Sequence, residues 1–232
     1  EGLAASSESS DAMTNALRGR FTQSGLRRAS EMLAGSENGK IILFTRGAPT
    51  YSWFVEAVEP NENAPEAIDL ATNTVEAYLP SSFTDDVLGN GSGLNLDPAD
   101  PRLDGAGAYT IPAQDGGSLR IHEHASPLQG EAAQIRKEGI DLEVIAYDLT
   151  TETFVSSGQQ IDRGTAERVL KGLVQNSDEA YYQVDTPQGV QWALEQTKDA
   201  SADSVEKSLT FYDAFNSGVI IAEGTSPRLY SK

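Results

Sequence analysis

The chain contains no cysteine, and only 7% of its 232 residues are aromatic. The absence of cysteine excludes disulfide bonds, thiolate metal centres and cysteine nucleophiles, and leaves the cellular compartment open. Long apolar runs are also missing, because the longest is Ile41 to Phe44 and a membrane-spanning helix needs about 18 residues. We therefore expect no membrane insertion.

Positive charge is scarce as well. The chain has 35 acidic residues against 17 lysines and arginines, which gives a formal net charge of −18. Such a chain is repelled on average by phosphate backbones and by anionic lipid surfaces. The composition therefore predicts no nucleic-acid partner, while 38% hydrophobic residues are enough to build a globular core.

Residues that carry catalysis are few. The only histidines, His122 and His124, lie in a His-Glu-His tripeptide, and no third ligand at zinc spacing accompanies them. No Gly-x-Ser-x-Gly elbow and no phosphate-binding glycine loop is present. The sequence predicts a protein that is not an enzyme. An acidic stretch offers oxygen ligands for calcium without matching a known loop, and a solvated loop is the alternative; its members are Asp85, Asp86, Asn90, Asn95, Asp97, Asp100 and Asp104.

Helical and strand patterns alternate along most of the chain. Short apolar runs without alternation, at residues 40–46 and 141–147, are typical of strands buried on both faces of a parallel sheet. Amphipathic segments and capping residues predict helices at 23–34, capped by Thr22, and at 126–139, 165–174 and 186–198. With a short strand at 180–184, this order predicts an α/β fold with a mostly parallel sheet and helices on both faces.

Two segments depart from this alternation. Residues 60–119 are rich in proline and turn signals and lack a helical pattern, which predicts a long loop or a β-rich arm inserted into the fold. Residues 201–232 contain two strand-like runs separated by Asn216-Ser217-Gly218. We expect them to form a β-rich exit segment that leads toward a following domain.

A series of segments in fixed order resembles a known domain family. Arg20 to Ala29 (RFTQSGLRRA) followed by Lys40 to Ser52 (KIILFTRGAPTYS) is similar to the central part of a von Willebrand factor A domain, above all those at the tips of Gram-positive pili. Later segments continue the resemblance in the same order, at His124 to Ala132, Ile140 to Leu149, Tyr181-Tyr182 and Asn216 to Ile220.

The resemblance implies a doubly wound sheet with an adhesive face at the carboxyl ends of its strands. The family holds a divalent cation there, but Arg20 and Arg46 stand where the family has a threonine and an aspartate ligand. Guanidinium groups cannot ligate Mg²⁺ or Ca²⁺. We therefore expect a degenerate metal site and no cofactor, and a bound Mg²⁺ or Ca²⁺ would require a different motif alignment. The two arginines either bind a carboxylate of a partner or form ion pairs within the chain.

The strands that precede the threonine motif in the family have no counterpart before Arg20. The resemblance thus implies either the C-terminal part of such a domain or a remodelled domain. We favour the C-terminal part, at 1–59 and 120–200, with the arm at 60–119. Candidate ligand contacts, besides the two arginines, are Thr22, Tyr78, Phe83 and Tyr109.

The function implied is that of a non-catalytic adhesion module of a pilus or cell-wall protein. Its expected location is the cell surface, outside the cell, and its expected partners are a host extracellular protein or glycan and other pilus subunits. The alternative is a structural or assembly domain without a ligand of its own.

Overall fold

A computed structural model of the protein describes residues 19–36, 39–62, 68–69, 74–154, 157–175 and 177–197. The helices in these ranges are α1 (Thr22–Leu33), α2 (Ala125–Lys137), α3 (Arg163–Gly172) and α4 (Pro187–Gln196). The strands are β1 (Lys40–Thr45), β2 (Ser52–Pro60), β3 (Ile68–Asp69), β4 (Thr74–Val75), β5 (Tyr78–Leu88), β6 (Tyr109–Pro112), β7 (Ser118–Ile121), β8 (Asp141–Tyr147), β9 (Glu152–Thr153), β10 (Gln160–Ile161) and β11 (Tyr181–Val184). No helix in the described ranges is long and apolar enough to cross a membrane. The exit segment expected at 201–232 lies outside these ranges.

Three parallel strands form the centre of the fold, in the order β1, β8, β11. β1 pairs with β8 from Lys40 opposite Asp141 to Thr45 opposite Ala146, and β11 pairs with the other edge of β8. The expected parallel sheet is confirmed. Strand β8 has the predicted bounds, and β1 ends one residue earlier than predicted.

Helices pack on both faces of this sheet. Alternate residues of a strand point to opposite faces, and Leu142 and Val144 of β8 pack in one apolar cluster with α1, α2 and α3. Ile145 packs on the opposite face against Ala193 of α4. The chain therefore has a mixed α/β fold in which β8 is covered from both sides.

The helix starts show which capping predictions were correct. Thr186 caps α4 as predicted, because its Oγ1 accepts a hydrogen bond from the N–H of Gly189 at 3.1 Å. Helix α3 begins at Arg163 instead of Thr165, since Asp162 is its cap and accepts from the N–H of Thr165 at 2.8 Å. The prediction that Thr22 caps α1 was wrong. Thr22 is the first helical residue, and the preceding Phe21 makes no side-chain capping bond.

Antiparallel strands occupy the chain between β1 and α2, and we name residues 52–121 the β-arm. β2 pairs with β5 from Ser52 opposite Leu88 to Pro60 opposite Tyr78, with several irregularities in register, and β6 pairs with β7. The arm has an apolar cluster of its own, made of Val55, Val58, Leu88, Leu96, Tyr109, Ile111, Leu119 and Ile121. The strands of the arm thus extend beyond both ends of the insertion expected at 60–119.

Helix α2 joins the β-arm to the parallel sheet. Ala133 of α2 packs against Leu79 of β5. Gly130 faces the same strand so closely that a Cβ there would lie 2.5 Å from the carbonyl oxygen of Pro80. Because α2 also packs on the sheet, it fixes the arm beside the sheet.

Candidate functional site

The carboxyl end of the parallel sheet is the candidate site. The chain leaves β1 at Thr45 and passes through Arg46 to Tyr51 before β2 begins. Hydrogen bonds tie this loop to the start of α1: the N–H of Arg20 donates to Oγ1 of Thr50 at 2.7 Å, and the N–H groups of Thr50 and Tyr51 donate to the carbonyl oxygen of Arg20. The two arginines singled out by the resemblance are thereby brought to the same end of the sheet.

Arg20 forms a bidentate ion pair with Glu152, the first residue of β9. Its Nη1 donates to one carboxylate oxygen at 2.9 Å and to the carbonyl oxygen of Ala48 at 3.1 Å, while Nη2 donates to the other carboxylate oxygen. The Arg20 side chain is only 13% exposed. Gly47 permits this approach, because a Cβ there would lie 2.9 Å from Cζ of Arg20 and 3.0 Å from Oε2 of Glu152.

Arg46 also pairs with a carboxylate, that of Asp148, which follows β8. Both side chains are exposed, at 51% and 40%. The guanidinium lies 5.6 Å from the ring centroid of Tyr147, which in turn stacks on Phe44 of β1 at 5.7 Å. Asp148 has a φ of +49°, a left-handed conformation that aspartate tolerates better than most residues.

The residues at this end of the sheet do not fit a divalent cation. Mg²⁺ and Ca²⁺ require several oxygen ligands without competing positive charge, whereas Glu152 and Asp148 are each engaged by a guanidinium. Thr45 is a buried neutral hydroxyl that both donates to the carbonyl oxygen of Gly47 at 3.3 Å and accepts from its N–H at 3.5 Å, so it supplies no negative charge to offset the guanidinium groups. No group of three or more metal-ligating acidic or histidine side chains occurs in the part of the chain that the structure describes.

The two histidines lie in different environments. His124 precedes α2, is 1% exposed, and has its Nδ1 2.9 Å from Oγ of the buried Ser52. Burial lowers the pKa of His124 to about 3, so the imidazole is neutral. His122 lies on the partly exposed side of the same segment, near Glu123. The two imidazoles thus lie in different surroundings, His124 in the interior and His122 toward solvent.

Several members of the acidic stretch of the β-arm make local contacts, while Asp85 and Asp86 are exposed. Asp100 pairs with Arg102, and Asp104 pairs with Arg120. Asp97 accepts a hydrogen bond from Nδ2 of Asn90 at 2.7 Å. The ion pair and hydrogen bonds with Arg102 lower the pKa of Asp100. These contacts order the loop between β5 and β6, and they pair its carboxylates with other residues of the same chain.

The candidate contact residues of the arm differ in accessibility. Tyr78 is half-buried and donates its hydroxyl to Asp115 at 2.9 Å, a bond that raises the pKa of Tyr78. Tyr109 is a correction to the sequence-based expectation: it is 8% exposed and stacks on Phe54 at 4.3 Å. Its hydroxyl oxygen accepts from the N–H of Val55 at 3.1 Å, and burial raises its pKa. Tyr109 therefore belongs to the core of the arm.

Thr22 and Phe83 remain partly exposed. Thr22 begins α1 two residues after Arg20. Phe83 lies on β5, with the guanidinium of Arg27 5.2 Å from its ring centroid.

A cluster that sequence reasoning missed adjoins these residues, and we name it the aromatic row: Tyr51, Phe21, Trp53, Arg27 and Phe83. The ring centroids of Phe21 and Trp53 are 4.8 Å apart, those of Phe21 and Tyr51 are 6.2 Å apart, and Cζ of Arg27 lies 3.8 Å from the Trp53 centroid. All five side chains are partly exposed. One sequence signal could have indicated this cluster: two aromatic residues, Tyr51 and Trp53, stand two positions apart where β2 begins.

Buried polar groups hold the aromatic row in place. Arg27 donates to both carboxylate oxygens of Glu131 on α2, at 3.2 and 2.8 Å. The buried Gln23 donates to the same carboxylate and accepts from the N–H of Trp53 at 2.9 Å. Helices α1 and α2 and strand β2 are thus connected through one carboxylate, and Arg27 is fixed between two rings.

No known family profile matches this chain, and no curated protein matches it. Among solved structures, it is similar to the pilus adhesin SpaC of Lactobacillus rhamnosus GG in two crystal structures. One gives a TM-score of 0.54 at 20% identity over 76% of this chain, and the open conformation gives 0.53 at 21% identity over 84%.

The chain spans only 18% and 21% of the adhesin in those two structures. The adhesive tip pilin GBS104 of Group B Streptococcus agalactiae is a more distant neighbour, with a TM-score of 0.39 at 14% identity over 76% of this chain and 63% of its own length. The structural neighbours are therefore pilus adhesins of Gram-positive bacteria, and the likeness is one of fold.

Proposed function

We propose that this chain is a non-catalytic adhesion module of a Gram-positive surface or pilus protein, displayed outside the cell on a pilus or the cell wall. It would recognise a host extracellular protein or glycan and contact other pilus subunits. The observation that carries the proposal is the likeness of fold to one part of a pilus adhesin over 76–84% of the chain.

The von Willebrand factor A assignment is part of this proposal. In its support, the sequence segments that resemble the family coincide with α1, β1, α2, β8 and β11, and helices pack on both faces of a parallel sheet. The proposed division is a domain at 1–59 and 120–200, an arm at 60–119 and an exit segment at 201–232. Since the β-arm strands reach from Ser52 to Ile121, the arm is better drawn with those wider limits.

We further propose that binding is independent of divalent cations. The ion pairs of Arg20 and Arg46 support this, because the carboxylates of Glu152 and Asp148 at this end of the sheet are each paired with a guanidinium. No catalytic step is proposed. In the described ranges, His124 is buried and neutral, so it is inaccessible as an acid or base for an external substrate.

A structural or assembly role is the second candidate, and one observation favours it. Arg20 is only 13% exposed and engages Glu152 with both ends of its guanidinium. A charge that is already paired within the chain costs less to bury against a neighbouring subunit than an unpaired charge does, so the Arg20–Glu152 pair is compatible with packing against such a subunit.

The two candidates are separated by a binding panel. Labelled chain is applied to immobilised extracellular-matrix proteins, a glycan array and purified subunits of a Gram-positive pilus, each with EDTA or with Mg²⁺ and Ca²⁺. Saturable binding to a matrix protein or glycan that EDTA leaves unchanged supports the adhesion module. Binding to pilus subunits alone supports the assembly role, and loss of matrix binding in EDTA contradicts cation independence.

A further inference from the structure

The aromatic row is a partly exposed surface feature that lies outside the buried core. Phe21, Tyr51 and Trp53 lie in none of the buried apolar clusters, and Phe83 only borders the cluster of the β-arm. Val87 on β5 stands directly opposite Trp53 in the strand register and is 42% exposed. Residues opposite each other in adjacent strands are close neighbours. Val87 therefore extends the row into a continuous apolar strip.

The composition of this strip is that of a protein interface. Tyrosine, tryptophan, phenylalanine and arginine are the residues enriched where proteins bind proteins. The side chains are also held in position before any partner arrives: Trp53 contacts Phe21 and Arg27, and Arg27 is anchored by Glu131. Preorganised side chains lose little conformational freedom on binding.

The geometry of Trp53 favours a protein partner over a sugar. A sugar ring stacks on an open aromatic face, but Arg27 lies over the Trp53 ring at 3.8 Å, and the Phe21 ring lies 4.8 Å from the same ring in a T-shaped, edge arrangement. Apolar side chains of a partner need no flat open ring, since they fit between neighbouring side chains.

The charge beside the strip defines the partner further. The register places Trp53 opposite Val87 and Val55 opposite Phe83, so β5 carries two more residues than β2 between these pairs and bulges there. Asp85 and Asp86 lie in this bulge and are exposed. Both guanidinium groups beside the strip are paired with carboxylates: Arg27 with Glu131, and Arg102, which donates to the carbonyl oxygen of Val87 at 2.9 Å, with Asp100. The strip is therefore bordered by negative charge, which attracts a cationic partner.

We propose that the aromatic row together with Val87 is a docking site for an extended segment of a partner protein, with apolar side chains flanked by lysine or arginine. This inference rests on the proposed adhesive function and names its partner class. The site adjoins the carboxyl end of the parallel sheet, because Tyr51 and Phe21 are neighbours in sequence of Thr50 and Arg20, which are hydrogen-bonded to each other.

The fluorescence of Trp53 can report binding at this site. The chain has two tryptophans, so Trp192→Phe leaves Trp53 as the only one. In that background we would titrate a capped heptapeptide of alternating leucine and lysine, and the same peptide with glutamate in place of lysine. We expect a saturable change in Trp53 fluorescence with the lysine peptide and an affinity at least about tenfold lower for the glutamate peptide.

Matched variants test the location. Val87→Ser, and Asp85→Asn with Asp86→Asn, are each expected to weaken lysine-peptide binding by about threefold or more. The controls remove exposed groups outside the strip: Met32→Ser on α1, and Glu31→Gln with Asp178→Asn, are expected to leave binding unchanged. Equal binding of both peptides, or equal loss in the control variants, would overturn the site. So would a saturable response to cello- or chito-oligosaccharides in place of the peptide, which would make it a glycan site.

The same variants separate this inference from the proposed function. Adhesion on the binding panel that Val87→Ser and the aspartate variants leave intact would refute the docking site and keep the adhesion module. Peptide binding with the expected variant pattern, in a chain that binds nothing on the panel, would keep the docking site and refute the adhesion module.

Discussion

Arg20 and Arg46 carry the same charge at the same end of the sheet, but they differ in burial and therefore in how much their ion pairs contribute to stability. Arg20 and its partner Glu152 have side chains that are 13% and 27% exposed, whereas Arg46 and Asp148 are 51% and 40% exposed. Solvent screens an exposed pair strongly, while a largely buried pair leaves an uncompensated charge when one member is removed. The first pair is therefore structural, and the second contributes little to stability.

Replacing each arginine by methionine, which keeps much of the apolar stem, tests this difference. We expect Arg20→Met to lower the free energy of unfolding by about 1–3 kcal/mol and Arg46→Met by less than about 1 kcal/mol. Urea denaturation measures both. Adding Glu152→Gln to Arg20→Met removes the stranded charge and is expected to restore part of the loss; equal losses for the two single variants would contradict the argument.

His124 makes stability depend on pH. Its folded-state pKa is depressed to about 3 from 6.5 by burial, so the unfolded chain binds a proton in a range where the folded chain does not. This contribution to the free energy of unfolding is complete above pH 6.5 and is lost as the pH falls toward 3. The loss at pH 4 is about 3 kcal/mol as an upper bound. Asp100, Asp104 and Asp162, whose pKa values are lowered, act in the same direction at lower pH.

The measurement is a series of denaturation curves between pH 7 and pH 4 for the native chain and for His124→Asn. The variant is expected to be less stable at pH 7, because it loses the buried packing of the imidazole, but to lose less stability on acidification. Parallel pH curves for the two proteins would show that another group sets the acid sensitivity.

At the scale of elements, α2 is the helix on which the assembly of sheet and arm depends. It packs on the parallel sheet through residues such as Leu128 and Ile135, and on β5 through Ala133 and Gly130. The glycine is required by the close approach of the helix to the backbone at Pro80, and backbone cannot move aside as a flexible side chain can.

We expect Gly130→Ala to destabilise the protein by about 1–3 kcal/mol in spite of the higher helix propensity of alanine, since the added methyl forces α2 away from β5. Gly164→Ala in α3 is the matched control, because its Cβ would meet only a side-chain oxygen of Asp162 at 3.1 Å. The control is expected to stay within about 1 kcal/mol of the native chain. Thermal unfolding of both variants decides the point.

The elements of the parallel sheet were predictable because each has a local signal. A continuous apolar run such as Ile41 to Phe44 specifies a strand covered on both faces, and Thr186 with Pro187 specifies a helix start. Strands β2 and β5 escaped prediction because their register shifts break the alternation of apolar residues that marks a strand, and each contains a proline.

The candidate site was predictable in part for a different reason. The positions of Arg20 and Arg46 followed from the resemblance, but their partners Glu152 and Asp148 lie more than 100 positions further along the chain, and only the topology brings them together. The aromatic row likewise joins α1, β2 and β5. No periodicity within a single segment indicates a cluster made of three elements.

At the scale of the whole molecule, a net charge of −18 attracts any cation weakly, so a specific metal site must be distinguished from general screening. We expect isothermal titration with Mg²⁺, Mn²⁺ or Ca²⁺ at constant ionic strength to show no saturable binding. The reason is that Glu152 and Asp148, at the end of the sheet where the family binds its cation, are each paired with an arginine. Arg46→Asp serves as the comparison, because it replaces one of these cations by a ligand. Micromolar binding by the native chain would contradict the expectation.

The insertion of the β-arm between β1 and β8 also bears on the order in which the elements pair as the chain folds. Lys40 and Asp141, which face each other in the parallel sheet, are 101 positions apart. Closing so long a loop costs more conformational entropy than closing a short one, and pairs within the arm, such as Tyr109 with Ile121, are far closer in sequence. We therefore expect β6 and β7 to pair before the parallel sheet forms, and β1 to remain an unpaired apolar strand until β8 joins it.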